Sequence, residues 1–214
     1  MVTSLKKGET LTLQHGVHDL SRLTISLRWD PDGQLPAEIP TIHIGTRPQP
    51  QEFDLDVIAL LLQQNGRLAD LGNQELKGGG RSFGDVVYHR VRRHSSGAIW
   101  LNTDNRQGAG EEEQIVVLLQ QLDAAYQRIV FMVMINEGRH RGQNFAQVGN
   151  ARVRVQDGRE QEICLYDISH EPAFGNACAL TVAEVRREGE HWLFQALGQP
   201  HTSDRFSELL KPYL

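Results

Sequence analysis

Leu23, Ile25, Leu27 and Trp29 alternate with Thr24, Ser26 and Arg28, and this period of two constrains the chain more than any other feature. Successive side chains of a strand point to opposite faces. One apolar residue in every two therefore marks a strand with one face on a core. Leu11 with Leu13, and Val153 with Val155, repeat the pattern. Three further runs, 57–62, 115–119 and 129–135, are nearly continuous in apolar residues. Such runs suit strands covered on both faces, or helices. The run 129–135 is short and rich in β-branched residues, which favours a strand.

Turn signals separate these runs at short intervals. Asn65-Gly66 follows 57–64, Asp157-Gly158 lies between 151–156 and 162–166, and Arg187-Glu188-Gly189-Glu190 lies between 180–185 and 192–197. Asn-Gly and Asp-Gly tolerate the positive φ of a type I′ turn, so hairpins are expected at these points. Many short strands with frequent turns predict an all-β chain, an antiparallel β-sandwich with a few short helices. Helices are expected at 121–126 and at the C-terminal 203–214. Segment 31–51, with five prolines, reads as a long exposed loop, and the glycines of 77–82 mark another. A length of 214 residues fits one domain, and 39% hydrophobic residues suffice for a core.

The formal charge of −5 argues against nucleic acid as a partner. Cys164 and Cys178 sit in apolar contexts outside any CxxC, as buried thiols of a reducing compartment do. No Cys/His cluster suggests zinc, and neither HExxH nor Gly-x-Ser-x-Gly occurs. Arg81-Ser82 after three glycines departs from the phosphate-loop pattern. Residues 1–7 lack the apolar core of a signal peptide, and no stretch approaches the roughly 20 apolar residues of a membrane span. A cytoplasmic protein without a transmembrane segment is expected. The basic stretch from His89 to His94 reads as a solvated loop, with partner contact as its alternative.

Acidic residues gather at the ends of three apolar runs. Asp104-Asn105-Arg106-Gln107-Gly108-Ala109-Gly110-Glu111-Glu112-Glu113 leads directly into 115–119. Asp104, Asn105 and Glu113 offer side-chain oxygens, while Gly108 and Gly110 let backbone carbonyls turn inward. Oxygen donors of this mixed kind suit Ca²⁺, which takes about 6–8 of them. The spacing is not that of an EF-hand. Asp54 and Asp56 open the second run, and in an extended chain they share one face while Phe53 and Leu55 take the other. Two carboxylates on one face repel unless a cation or a basic group, Arg106 for example, neutralises them. Asp30 closes the run that begins at Leu23. If these strand ends meet, they form a calcium site; a solvated acidic turn and a paired-carboxylate hydrolase are the alternatives.

These segments resemble the TerD-domain family. Arg28-Trp29-Asp30 is similar to its Gly-Trp-Asp, and Phe53-Asp54-Leu55-Asp56 to its Asp-Leu-Asp-Ala-Ser. The acidic loop resembles its Asp-Asn-Arg/Leu-Thr-Gly-x-Gly-Asp-Gly-Asp-Asp-Glu. Arg141-Gly142-Gln143-Asn144-Phe145, with Val148, Asn150 and Ala151, resembles Arg-Gly-Gln-x-Phe-x-x-Val-x-Asn-Ala. Ser4-Leu5-Lys6-Lys7-Gly8 and Trp192-x-Phe194-x-Ala196-x-Gly198 complete the order. The resemblance implies a single β-sandwich over 1–214 whose loops bind Ca²⁺ at one end through Asp30, Asp54, Asp56, Asp104, Asn105, Gly108, Gly110 and Glu113. It also implies a non-enzymatic role in tellurium resistance and stress response, with protein partners in a membrane-associated complex. A calcium-free scaffold, its acids neutralised by Arg106 with Arg28 or Arg141, is the alternative.

The chain departs from the pattern in three ways. The acidic loop is two residues shorter and ends in Glu111-Glu112-Glu113, Val57-Ile58 replaces Ala-Ser, and 31–51 and 77–85 read as inserts. Ion number and affinity are left open by these changes.

Overall fold

A computed structural model describes residues 2–30, 53–72, 84–102, 111–169 and 171–214. Its strands are β1 (Thr3–Leu5), β2 (Thr10–Leu13), β3 (Leu23–Asp30), β4 (Leu55–Gln63), β5 (Val86–Val87) and β6 (Ile99–Leu101). They continue with β7 (Glu111–Val117), β8 (Tyr126–Ile135), β9 (Gly149–Gln156), β10 (Glu162–Asp167), β11 (Ala179–Glu188) and β12 (His191–His201). Two short α-helices lie among the described residues, α1 (Gly138–Arg141) and α2 (Phe206–Leu210). One sheet runs β1-β10-β9-β3-β7-β6 and the other β2-β12-β11-β8-β4-β5. Every pairing between these strands is antiparallel except that of β1 with β10.

The period-two pattern explains the inner faces. Leu23, Ile25, Leu27 and Trp29 of β3 are buried in one core with Val153 and Val155 of β9 and Phe131 of β8. Burying a large apolar side chain stabilises by about 1.5–3 kcal/mol, so this layer dominates the fold. Thr24 and Ser26, on the other face of β3, are buried as well, which simple alternation did not predict. The near-continuous runs are strands covered on both faces. On β4, Val57, Ala59 and Leu61 join the inner core, while Ile58, Leu60 and Leu62 form a second cluster with Val130, Met132 and Leu209. The C-terminal α2 supplies Leu209, with Phe206, Leu210 and Tyr213 packed alongside, so this tail covers the outer face of the second sheet.

Several local expectations need correction. Residues 121–126 are not a helix. A 3₁₀ turn spans Leu119–Gln121, and Asp123 then closes a turn by accepting from the Ala125 N–H (2.8 Å), before β8 begins at Tyr126. A segment that short lacks the length to propagate a helix. Asn65-Gly66 does turn the chain, but the returning Leu68 donates to the Tyr213 carbonyl (2.8 Å) and not to a partner strand. At Asp157-Gly158 a hairpin forms, yet the positive φ falls on Glu160 (62°). Gly158 is required for space: a Cβ there would lie 2.5 Å from the Asp19 carboxylate. The β11–β12 hairpin is as expected, with Glu188 opposite His191 and Gly189-Glu190 between. Segment 31–51 and nearly all of 77–85 lie outside the described residues, and Asp85, at the end of the second, is fully buried.

Candidate functional site

The acids of β4 and β7 meet at an open edge of the sandwich. Strand β5 pairs with β4 only at Ala59 and Leu60, so the Val57 N–H lies on an edge that β5 does not reach. An unpaired edge N–H needs an acceptor. Glu113 supplies it: from β7 of the opposite sheet its Oε2 accepts from Val57 N (2.7 Å), and the side chain is buried. A carboxylate thus bridges the two sheets where backbone pairing has stopped.

Around this bridge is a cavity of about 440 Å³ lined by Asp54, Asp56, His89, Arg90, Arg92, Leu101, Glu113 and Asn136. Phe53 and Leu55 are buried while Asp54 and Asp56 face the cavity, as the two-residue spacing requires. Asn136, just beyond β8, donates from Nδ2 to Asp54 Oδ2 (2.9 Å), and its N–H donates to the Asp54 carbonyl (2.8 Å). His89 Nδ1 sits 3.2 Å from Asp56 Oδ1. Asp30 is placed differently. Its carboxylate accepts from Asn150 Nδ2 and does not line the cavity, although the neighbouring Trp29 Nε1 donates to the Phe53 carbonyl (3.1 Å). Asp104, Asn105, Gly108 and Gly110 lie outside the described residues.

The basic side of the cavity was read from sequence as a solvated loop. Tyr88 and Val91 exchange backbone hydrogen bonds (3.0 Å each), which leaves His89-Arg90 as the tip of a tight turn. This segment is anchored by residues that sequence reasoning missed. Asp85 Oδ2 accepts from the N–H groups of Ala69 and Asp70 (2.8 Å each), and Oδ1 accepts from the Tyr126 hydroxyl (2.6 Å). His94 Nε2 lies 3.4 Å from the same Oδ1, and its Nδ1 lies 2.7 Å from Ser96 Oγ. Burial pushes the Asp85 carboxyl up, but the hydrogen bonds from His94, Tyr126, Asp70 and Ala69 outweigh it and hold the group below its ordinary value. Burial and the bond to Asp85 push the Tyr126 phenol well above its ordinary value. Four scattered residue types in no motif spacing carried no sequence signal for this hub.

The donor chemistry of the cavity suits a hard cation: carboxylate and amide oxygens without a soft ligand. The number of donors is short of a full shell. Glu113 already engages Val57, Asp54 engages Asn136, and among the described residues no three His, Cys, Asp or Glu side chains form a group able to hold a metal. A complete oxygen shell at this edge needs donors beyond the described ones.

Fold and cavity together define a two-sheet β-sandwich with acids and bases gathered at one open edge. The chain belongs to the TerD-domain family, whose model matches residues 1–213. It is 40% identical to tellurium resistance protein TerX of Serratia marcescens, over the full length of both. It is 28% identical to stress response protein SCP2 of Bacillus subtilis (strain 168), again over both full lengths. A solved homologue of the telluride resistance protein TerD from Streptomyces coelicolor A3(2) superposes with a TM-score of 0.56 at 26% identity, covering 86% of this chain and 92% of that one. A solved protein of unknown function gives a TM-score of 0.60 at 23% identity, covering 89% and 94%. Among the described residues no helix is long and apolar enough to cross a membrane.

Proposed function

We propose that this chain is a calcium-binding, non-enzymatic module of the tellurium-resistance and stress-response type. The observation that carries the reading is the gathering of Asp54, Asp56, Glu113 and Asn136 on one cavity between the sheets. Loop residues Asp104, Asn105, Gly108 and Gly110 immediately precede β7, which bears Glu113, and would add oxygens to that shell. Asp30, engaged by Asn150, is the outlying member. Bound there, the ion would supply positive charge beside three carboxylates. The chain's own residues orient those carboxylates: Asn136 holds Asp54, and the Val57 N–H holds Glu113. The names of the relatives, a tellurium resistance protein and a stress response protein, support the resistance and stress side of this reading; a cytoplasmic location and protein partners in a membrane-associated complex are part of the proposal.

Calcium titration by calorimetry on chelator-stripped protein, with magnesium as control, tests the reading. Saturating heat with calcium alone is expected, and its absence overturns it. One observation favours a calcium-free scaffold acting through protein partners: His89 already faces Asp56. Arg106, the neutralising base expected from the sequence, lies outside the described residues. Arg28 sits on β3 opposite Arg152, away from the cavity, and Arg141 pairs with Glu137 (3.4 Å). Melting that is identical in calcium and in chelator would select that reading.

A further inference from the structure

Away from the cavity, an exposed serine meets a buried imidazole. Ser96 Oγ lies 2.7 Å from His94 Nδ1, and on the far side of the ring Nε2 lies 3.4 Å from Asp85 Oδ1. The Ser96 N–H donates to the same Nδ1 (3.2 Å). A backbone N–H can only donate, so Nδ1 is the ring's acceptor. The proton of the neutral imidazole then sits on Nε2, toward Asp85 and the Tyr126 hydroxyl (3.4 Å). The Ser96 hydroxyl can donate to Nδ1 while it accepts from the Ala98 N–H (3.1 Å). The turn itself does not call for this arrangement. Gly97 N–H closes it onto the His94 carbonyl (2.9 Å), and His94 N–H donates to the Ile99 carbonyl (3.0 Å). The buried carboxylate behind the ring adds nothing to that closure.

A hydroxyl aimed at an unprotonated imidazole nitrogen, with a carboxylate holding the opposite N–H, is the geometry that makes serine a nucleophile. We infer that Ser96 is a covalent acceptor, which takes one acyl group per chain from an activated ester. Its Oγ attacks the ester carbonyl carbon. As the new C–O bond forms, the hydroxyl proton passes to His94 Nδ1 and the bond to the leaving oxygen breaks. His94 returns the proton to that oxygen, so the products are O-acyl-Ser96 and the alcohol. Asp85 is a positioning residue: it fixes the His94 tautomer and faces the imidazolium formed in the step. Arg93 supplies positive charge beside the reacting atoms. Its guanidinium is held over Trp100 (5.4 Å), and a Cβ on Gly97, next to Ser96, would lie 3.6 Å from its Nη2. A fixed cation there stabilises the negative charge that develops on the carbonyl oxygen. The step is a single transfer without turnover, and it needs neither calcium nor the acidic cavity.

Labelling of the full chain in chelator tests the acceptor, with 4-nitrophenyl acetate as acyl donor and a fluorophosphonate as second probe, each site followed in time by peptide mass spectrometry. Ser95 is the control within the same molecule: it is equally exposed, and its hydroxyl makes no bond to the imidazole. General-base help is worth about a hundredfold or more, so Ser96 should be labelled at least about a hundredfold faster than Ser95 by both probes. His94→Gln, checked for its fold by circular dichroism, should bring Ser96 down to the rate of Ser95. Arg93→Gln, at an exposed position, should slow Ser96 about tenfold or more. Equal rates at Ser95 and Ser96, or no label on either, overturn the inference in the native protein, whatever becomes of the variants. A folded His94→Gln chain that labels at the native rate overturns it as well. Calcium heat is measured separately, so failure of the acceptor and failure of the calcium reading are told apart.

Discussion

Asp85 gathers two backbone N–H groups, a phenol and an imidazole on one buried carboxylate, and removing it strips them of that shared acceptor. A buried donor stripped of its partner costs about 1–3 kcal/mol, and breaking a buried charged network about 3–5 kcal/mol. Asp85→Ala is therefore expected to lower the stability measured in urea by about 3 kcal/mol or more. A depressed folded-state value also fixes the sign with pH. The unfolded carboxyl takes up its proton at a higher pH than the folded one, so the contribution of Asp85 is complete above about pH 4 and is lost as pH falls through the folded value. The fall in urea midpoint of the native protein below about pH 4 should flatten in Asp85→Asn; an unchanged acid limb would remove Asp85 from that role. Neither Asp85 nor His94 was legible in the sequence. Ala69, Asp70, His94 and Tyr126 stand 16, 15, 9 and 41 positions from Asp85 in the chain, and only the fold brings them together.

The C-terminal α2 acts on the fold by covering, not by pairing. Leu209 is buried against the second apolar cluster, Phe206 stacks on Tyr88 (ring centroids 4.6 Å apart), and the Tyr213 carbonyl accepts from Leu68. Without this tail, Ile58, Leu60, Leu62, Val130 and Met132 would face water. Leu209→Ala is expected to cost about 2–5 kcal/mol, the range for a buried leucine, and to raise binding of an apolar dye if the tail detaches. Dye binding equal to that of the unaltered protein, with little loss of stability, would mean that the tail is dispensable. The need for such a cover was readable beforehand, since 57–62 is apolar at odd and even positions alike, and a strand of that kind must be buried on both faces. What covers it was not readable, because a short amphipathic tail does not announce which sheet it meets. The motif at 141–145 was legible for a different reason than its chemistry suggests. Gly142 takes a left-handed φ of 65° that ends α1, Asn144 caps the turn Phe145–Gln147 by reciprocal side-chain and backbone bonds, and Phe145 is fully buried. These residues connect β8 to β9 and are not among those lining the cavity.

Calcium, on the proposed reading, would fasten one sheet of the sandwich to the other, and that places its effect on the stability of the entire molecule. Asp54 and Asp56 belong to the β4 side and Glu113 to the β7 side, with the Glu113–Val57 hydrogen bond their existing link. A ligand that binds only the folded chain stabilises it by RT ln(1 + [L]/Kd), about 2.7 kcal/mol at a hundredfold excess over Kd. For a chain of this length each kcal/mol moves the melting temperature by about 2–4 °C, so saturating calcium should raise it by about 5–10 °C, with a further rise as the excess grows. Asp56→Asn separates the two readings of the same cavity. As a calcium ligand, Asp56 loses charge and affinity on substitution, and the calcium-dependent rise shrinks at fixed calcium. As a partner of His89 and not of an ion, it changes the melting temperature in chelator and leaves the response to calcium unaltered. Melting curves of both proteins, each in calcium and in chelator, read the two contributions independently, because one appears in chelator and the other as a shift in the calcium concentration at which the rise sets in.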